Sequence, residues 1–401
     1  MSGPLRAVKV SEHVHWVGAI DWDIRNFHGY STHRGTTYNA YIITAERPTL
    51  VDSVKAPFRD ELLSRVSSVV DPADIEIVVS NHAEMDHSGS LVEVVDAVGP
   101  EKVVASPMGV KALGAHFRGR LDVSEVADGD SLSLGDLTLR FYETRMLHWP
   151  DSMFTYLEED GVLFSQDAFG MHLAGSERFD DEVDRCALLE EAATYYANIL
   201  LPYSPQIKKL LERVDKLGLE PSLVAPDHGP IWRSGFAGIL ESYARWADQK
   251  PTLKAVVAYD TMWGSTAKMA RAIADGLAEA GASPRLVNLS SSHRSDLASE
   301  LLEAGALLVG TPTINNNMFP TLGDALSYVG GLRPQNLIGA VFGSYGWSGE
   351  GTSQAASILE RMKVELVAEP LQVQYVPDDA ALERCRELGV RVAGALADRV
   401  G

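Results

Sequence analysis

From Ala255 onward one phrase repeats: a short apolar run, a turn, then a segment with apolar residues every three or four positions. The apolar runs are AVVAYD, SPRLVNLS, ALLVGTPT and LIGAVFGSYG. The helical segments are KMARAIADGLAEAG, SDLASELLEAG and LGDALSYVGG, and helices are expected from there to the end. A helix between two strands returns the second strand in the same direction as the first, so hairpins are excluded and a doubly wound parallel sheet is predicted. In such α/β sheets ligands sit beyond the carboxyl ends of the strands.

The residues before this follow another rule. HVHWVGAI, TYNAYIITA, TLVDS, IEIVVSNH, KVVASP, DLTLRFYE and GVLFSQDA read as strands, while FRDELLSRVSSVV, SLVEVVDAVG and MGVKALGAHF carry helical spacing. From Cys186 to about Ala247 the pattern is mainly helical, through ALLEEAATYYANIL and PQIKKLLERVDKLG, with the strand-like SLVAPDHG between later segments. The polar, proline-containing DQKPTL then precedes the first regular strand. Two domains are expected, 1–249 and 250–401, which suits a 401-residue chain at roughly 100 to 200 residues per domain.

Charge and cysteine content narrow the function classes. A formal net charge of -20 disfavours binding to nucleic acid or anionic lipid, both of which need clustered Lys and Arg. Cys186 and Cys385 lie too far apart in sequence for a CxxC metal site or a disulfide framework. MSGPLRAVKV has no apolar run suited to a secretory leader, and no run of eighteen apolar residues occurs. A cytoplasmic protein with no membrane segment is expected.

Four potential metal ligands fall within six residues in His82-Ala83-Glu84-Met85-Asp86-His87, where the strand IEIVVSN ends. A loop at a strand end can turn such side chains to one centre, whereas on a regular helix positions 82, 84 and 87 would not share a face. His148 in MLHWPDSM, Asp167 in LFSQDAFG and His228 in APDHGPIW each sit beside another strand-like run. Mixed imidazole and carboxylate donors suit redox-active iron, and several anionic donors suit two cations held close together. The plain alternative is a set of turn and helix-capping residues. His116 and His293 are given no role.

In the second half, Thr261-Met262-Trp263-Gly264-Ser265-Thr266 opens a helix directly after AVVAYD. Unpaired backbone N–H groups and the helix dipole make such a turn an anion site, here sized for a single phosphate. Neither GxGxxG nor GxxxxGK[ST] is present. Two further loops follow later strands: Thr311-Pro312-Thr313-Ile314-Asn315-Asn316-Asn317 and Ser344-Tyr345-Gly346-Trp347-Ser348-Gly349. Glycine admits close backbone approach, Tyr345 and Trp347 can pack on a flat ring, and asparagines can bond its polar edge. Together these loops resemble the FMN loops of flavodoxins.

With RGTTYNAY, HWPDSM, YYANIL and DTMWGST added, the order H-x-E-x-D-H followed by distant H, D and H resembles the flavodiiron branch of the metallo-β-lactamase superfamily. The resemblance implies an N-terminal metallo-β-lactamase-like αββα sandwich and a C-terminal flavodoxin-like domain, with FMN and a non-haem pair of iron ions as cofactors. It assigns one iron to His82, Glu84 and His148, the other to Asp86, His87 and His228, and the bridge to Asp167. In some members the histidine matching His87 is displaced by water, so its ligation stays open. Zinc hydrolases of the superfamily have His at the position of Glu84, which sets the carboxylate against a hydrolase. His28 and Tyr196 match positions that line the substrate pocket.

The implied reaction takes electrons through FMN to the irons and reduces dioxygen to water or nitric oxide to nitrous oxide; the sequence does not separate the two gases. The resemblance also implies a head-to-tail homodimer or dimer of dimers. With no CxxC pair for a rubredoxin iron before Gly401, electrons are expected from a separate donor: a rubredoxin, a reductase or a reduced deazaflavin. The other readings are a zinc-dependent hydrolase carrying an FMN module and an electron carrier with a vestigial metal site.

Overall fold

The computed structural model describes residues 5–401; Met1–Pro4 of the N-terminal stretch discussed above lie outside the described residues. The chain divides into two compact units. One comprises the residues up to Phe27 with Thr32–Tyr195 and Pro205–Ala244; the other comprises His28–Ser31, Tyr196–Ser204 and Arg245–Gly401. No helix among the described residues is long and apolar enough to cross a membrane.

The first unit is built on two sheets. A seven-stranded sheet runs in the order Val8–Lys9, Val14–Trp16, Tyr41–Ile43, Thr49–Val51, Ile77–Ser80, Lys102–Ala105, Val123–Glu125. A five-stranded one runs Ser131–Ser133, Thr138–Glu143, Met153–Leu157, Val162–Gln166, Leu223–Pro226. Strand periodicity decides which side chain goes where. Tyr41, Ile43, Val51, Ile77 and Val79 meet Leu139, Phe141, Met153 and Phe164 of the other sheet, while the intervening Ile42, Leu50 and Val78 turn to the helices carrying Leu62, Val66, Leu91 and Leu113. Each such side chain contributes about 1.5–3 kcal/mol on burial. Both faces of the seven-stranded sheet are covered, which is why its central strands read as unbroken apolar runs.

Two expected elements split. HVHWVGAI breaks into Val14–Trp16 and Ala19–Asp21, and the second piece leaves the main sheet to pair with Thr36–Tyr38. Gly18 permits the crossing, since a Cβ there would lie 2.2 Å from the Tyr38 carbonyl oxygen. ALLEEAATYYANIL is not one helix either: the α-helix Arg185–Tyr195 passes into a π turn at Tyr196–Leu200 and a 3-10 turn at Leu201–Tyr203.

In the second unit the sheet order is Ser283–Asn288, Lys254–Tyr259, Ala306–Ile314, Ile338–Tyr345, with Glu365–Leu366 and Leu371–Gln374 both paired to the last of these. These pairings are all parallel; only the short Asn317–Met318 runs antiparallel, to the end of Ala306–Ile314. The chain therefore does not run as helices to its end: two strands separate the helices Glu350–Arg361 and Asp379–Val400. Their shortness hid them, as neither LQVQ nor EL carries a buried run of its own. The helices Ser265–Glu279 and Asp379–Val400 cover one face through Met269, Ile273, Leu277, Cys385, Leu388 and Val392. They approach backbone to backbone at Gly276 and Gly389, where added Cβ atoms would fall 2.0 Å from the Arg386 carbonyl and 2.2 Å from that of Ile273.

Candidate metal centre and cofactor cavity

Four connections of the first unit end at one place. His82 and Glu84 follow the strand Ile77–Ser80; the short helix Met85–Ser88 then carries Asp86 and His87, so the cluster is loop for its first half and one helical turn for its second. His148 lies between Thr138–Glu143 and Met153–Leu157, Asp167 directly follows Val162–Gln166, and His228 follows Leu223–Pro226. All except the partly exposed Glu84 are buried.

The seven residues form two groups whose donor atoms lie within 4.8 Å of one another: His82, Glu84, His148 and Asp167, and Asp86, His87 and His228. Asp167 faces both. Its Oδ2 lies 3.2 Å from His82 Nε2 and 3.0 Å from His148 Nε2, while its Oδ1 lies 3.4 Å from His87 Nε2 and 3.5 Å from His228 Nε2. Asp86 Oδ2 is 3.1 Å from each of the latter two nitrogens.

These approaches are not hydrogen bonds. Both carboxylate oxygens of Asp86 and of Asp167, with Nε2 of His87 and of His228, are buried without a hydrogen-bond partner. Orphaned buried carboxylates cost several kcal/mol each unless a cation answers them. Donors 3.0–3.5 Å apart surround points at about 2.0–2.2 Å from each, the distance of a first-row metal ion from N and O ligands. The residues present thus fit a pair of metal ions sharing Asp167.

The outer nitrogens are fixed by other groups. His82 Nδ1 donates to Asp151 Oδ2 at 3.0 Å, and the same oxygen accepts from Ala83 N at 2.6 Å; His228 Nδ1 donates to the Thr37 carbonyl at 2.6 Å. Each ring therefore presents Nε2 inward, the usual arrangement of metal-binding histidines. Electrostatics agree. Burial opposes ionisation of Asp86 and Asp167, yet the facing imidazoles hold both carboxyl groups well below their usual range. Burial also disfavours the His148 imidazolium, but Asp167 and Glu84 outweigh it and hold the group up at about 9. Behind His87, burial pushes Asp52 up to about 6 and Asp227 well above the usual carboxylate range.

The two residues expected near the substrate differ in exposure. His28 is exposed, at positive φ, in the turn between Asn26–Phe27 and Tyr30–Ser31. Tyr196 is fully buried, its hydroxyl 3.2 Å from Ser204 Oγ and its ring against Trp246. Its neighbour Tyr195 does reach the cluster, its ring centroid 5.1 Å from that of His172 and 6.1 Å from that of His228, and so does Tyr38, at 6.0 Å from His228. The π turn starts between the two tyrosines. His172 and Asp151 also escaped the sequence reading. Asp151 had a signal, since it stands in the same HWPDSM loop as His148.

In the second unit a cavity of about 320 Å³ opens beyond the carboxyl ends of the strands. Met262, Trp263, Ser265, Pro312, Thr313, Ser344, Tyr345, Gly346 and Trp347 line it, from all three expected loops, together with Tyr375. Tyr375 follows Leu371–Gln374, the strand that sequence patterning did not show. Thr261, Gly264, Thr266 and Gly349 shape the loops without lining the cavity, and Ile314, Asn315 and Asn316 belong to a tight hairpin whose two central asparagines take positive φ. Gly264, at φ +87°, precedes the helix Ser265–Glu279, whose first turn has no capping side chain, leaving its N–H groups for an anion. Trp263 and Trp347 stand 90% and 87% exposed at the rim, unusual for indoles unless a flat partner covers them.

Comparison with known proteins agrees with the two-domain architecture. Residues 36–229 match the ODP family beta lactamase model and 257–389 match the flavodoxin model. The chain is 46% identical to a nitric oxide reductase of Moorella thermoacetica, covering 98% of this chain and 99% of that one. It is 44% identical to the rubredoxin-oxygen oxidoreductase of Megalodesulfovibrio gigas over 98% of both. The solved flavodiiron protein of Giardia intestinalis superposes with a TM-score of 0.96 at 33% identity, covering 100% of this chain and 99% of that one. These relatives are oxidoreductases, which sets the hydrolase reading aside. The chain belongs to the flavodiiron proteins, oxidoreductases that join a β-lactamase-like two-iron domain to a flavodoxin-like FMN domain.

Proposed function

We propose that this protein reduces dioxygen to water, nitric oxide to nitrous oxide, or both, at two iron ions held by residues 1–249, with FMN held by residues 250–401. The observation that carries this is the two-faced Asp167, each oxygen turned to a different donor set. His82, Glu84 and His148 would hold one iron, Asp86, His87 and His228 the other, and Asp167 would bridge. When bound, FMN accepts hydride or single electrons, and a pair of irons can hold a diatomic gas and supply electrons in pairs.

The chain's own residues position this chemistry. Asp151 and the Thr37 carbonyl keep His82 and His228 oriented. Ser265 and the uncapped N–H groups after Gly264 would take the FMN phosphate, and Trp263, Tyr345, Trp347 and Tyr375 would enclose its ring. His28 is assigned to proton delivery near the gas, alongside Tyr195 in place of Tyr196.

The name of one relative, rubredoxin-oxygen oxidoreductase, favours a separate electron donor of the rubredoxin kind, and a cytoplasmic setting belongs to the same reading. A head-to-tail homodimer, in which each flavin serves the partner's irons, completes the reading. Mixing Trp263→Ala and His148→Ala subunits tests it: activity returning in the mixture is expected, and a silent mixture overturns cross-subunit transfer.

The activity itself is tested by reducing the protein under argon, assaying iron and zinc per FMN, and adding each gas separately. About two irons per FMN with rapid reoxidation by one gas is expected. Two zincs with slow, flavin-only reoxidation overturns it.

A further inference from the structure

One aromatic residue links the metal-binding histidines to the surface, and nothing in the reduction chemistry above uses it. Trp149 follows His148 directly. Its ring centroid lies 5.3 Å from His82, edge-on at 87°, and 6.2 Å from His148. On its outer side it stacks on the exposed His116 at 6.2 Å and 16°. The indole is held there by its own loop: Trp149 N donates to Ser152 Oγ, and the Trp149 carbonyl accepts from Met146 N and Ser152 N. Asp151, which fixes His82, sits in the same loop. An oxidisable ring is thus fastened between two buried imidazoles and a solvent-facing one.

We propose that Trp149 is an electron relay that protects the centre when dioxygen arrives before enough electrons do. This rests on the reading that the centre reduces dioxygen. Reduction of dioxygen to water takes four electrons, two more than a pair of ferrous ions supplies by one-electron oxidation at each. When the flavin is empty, the deficit leaves an oxidising centre beside His82 and His148. The Trp149 indole would then give one electron to that centre, its N–H proton passing to water, and after repair a second in the same way, which together cover the two missing electrons. After each transfer a small thiol reaching the outer edge returns one hydrogen atom to the indolyl radical, and the two thiyl radicals so formed couple to one disulfide. No bond between heavy atoms of the protein forms or breaks. The damage is moved from buried ligands to a ring that solutes can repair.

The test gives the iron- and FMN-loaded protein two electron equivalents per chain, mixes it with dioxygen in the absence of thiol, and freezes samples for electron paramagnetic resonance. Peptides are then mapped for oxidised tryptophan. A tryptophanyl radical is expected, with oxidation at Trp149 at least tenfold above that at Trp22, which is 54% exposed and serves as the reference for diffusing oxidants. In Trp149→Phe with iron and FMN still bound, the radical should vanish; the wild-type peptide map stands on its own if that variant fails to fold. Oxygen consumed with Trp149 oxidised no more than Trp22, or a radical that persists in Trp149→Phe, overturns the relay and leaves the proposed function standing. Iron and FMN bound with no oxygen consumed overturns both.

Discussion

The two cofactor regions are organised in opposite ways. The donors of the metal centre, Glu84 apart, are buried and aimed by the fold: His82, Asp86, His87, Asp167 and His228 are at most 3% exposed, and with His148 they come from four loops of two packed sheets. The flavin cavity is an open rim, with Trp263 and Trp347 almost wholly in solvent. Folding therefore bears the cost of assembling the metal site, including the desolvation of its carboxylates, whereas ordering of the flavin site falls on binding. Damage should follow the same division: loss of one side chain ought to be severe at the metal centre and mild at the flavin.

The largest expected effect is at Asp167. Asp167→Ala removes a donor from both groups at once, so iron should fall below one per chain and gas reduction by on the order of 10²-fold or more, read by iron assay and reoxidation kinetics. FMN content should stay unchanged. A variant that keeps two irons would break the contrast.

One step outward, Asp151→Asn leaves His82 a weaker acceptor for its outer N–H. Iron affinity should drop about 10- to 100-fold by chelator competition, as for other carboxylates that orient a metal-binding histidine. At the flavin, Trp347→Ala should weaken FMN by about 3- to 10-fold in a fluorescence titration, the scale of one lost stacking contact. A larger loss than that at Asp151 would reverse the comparison.

Smallest is the pair His13–Asp160, 2.7 Å apart, with the imidazole 28% exposed and the carboxylate covered. A hydrogen bond from His13 to Asp160 outweighs burial and raises the imidazole; burial raises the carboxyl, but Ser11 and His13 outweigh it and lower it. The raised His contributes fully below about pH 6.5 and fades as pH rises through its folded value; the lowered Asp contributes fully above about pH 3.9 and fades as pH falls. His13→Ala should thus cost under about 1 kcal/mol near pH 5.5 in denaturant unfolding, with the difference shrinking by pH 9.

Local motifs made much of this legible. The ligands of the H-x-E-x-D-H cluster are adjacent in sequence, and His148, Asp167 and His228 each fall in a loop between strand-like runs, so their order, matched to the flavodiiron pattern, pointed to one centre. Three flavin loops were legible because a parallel sheet must place them at one edge. What escaped depends on contacts distant in sequence or on small changes of backbone geometry. Asp151 gains its role only when its loop folds back on His82, and Tyr375 only when Leu371–Gln374 joins the sheet. Tyr195 and Tyr196 stand on either side of the start of a π turn, a change of backbone geometry that their residue types do not announce.

The most direct measurement is a crystal structure of the iron-loaded protein with anomalous scattering collected across the iron and zinc edges. Two iron peaks are expected, one among His82, Glu84 and His148 and one among Asp86, His87 and His228, each at about 2.0–2.2 Å from a different oxygen of Asp167. A single peak, or two peaks that appear only at the zinc edge, would contradict a shared-carboxylate iron pair.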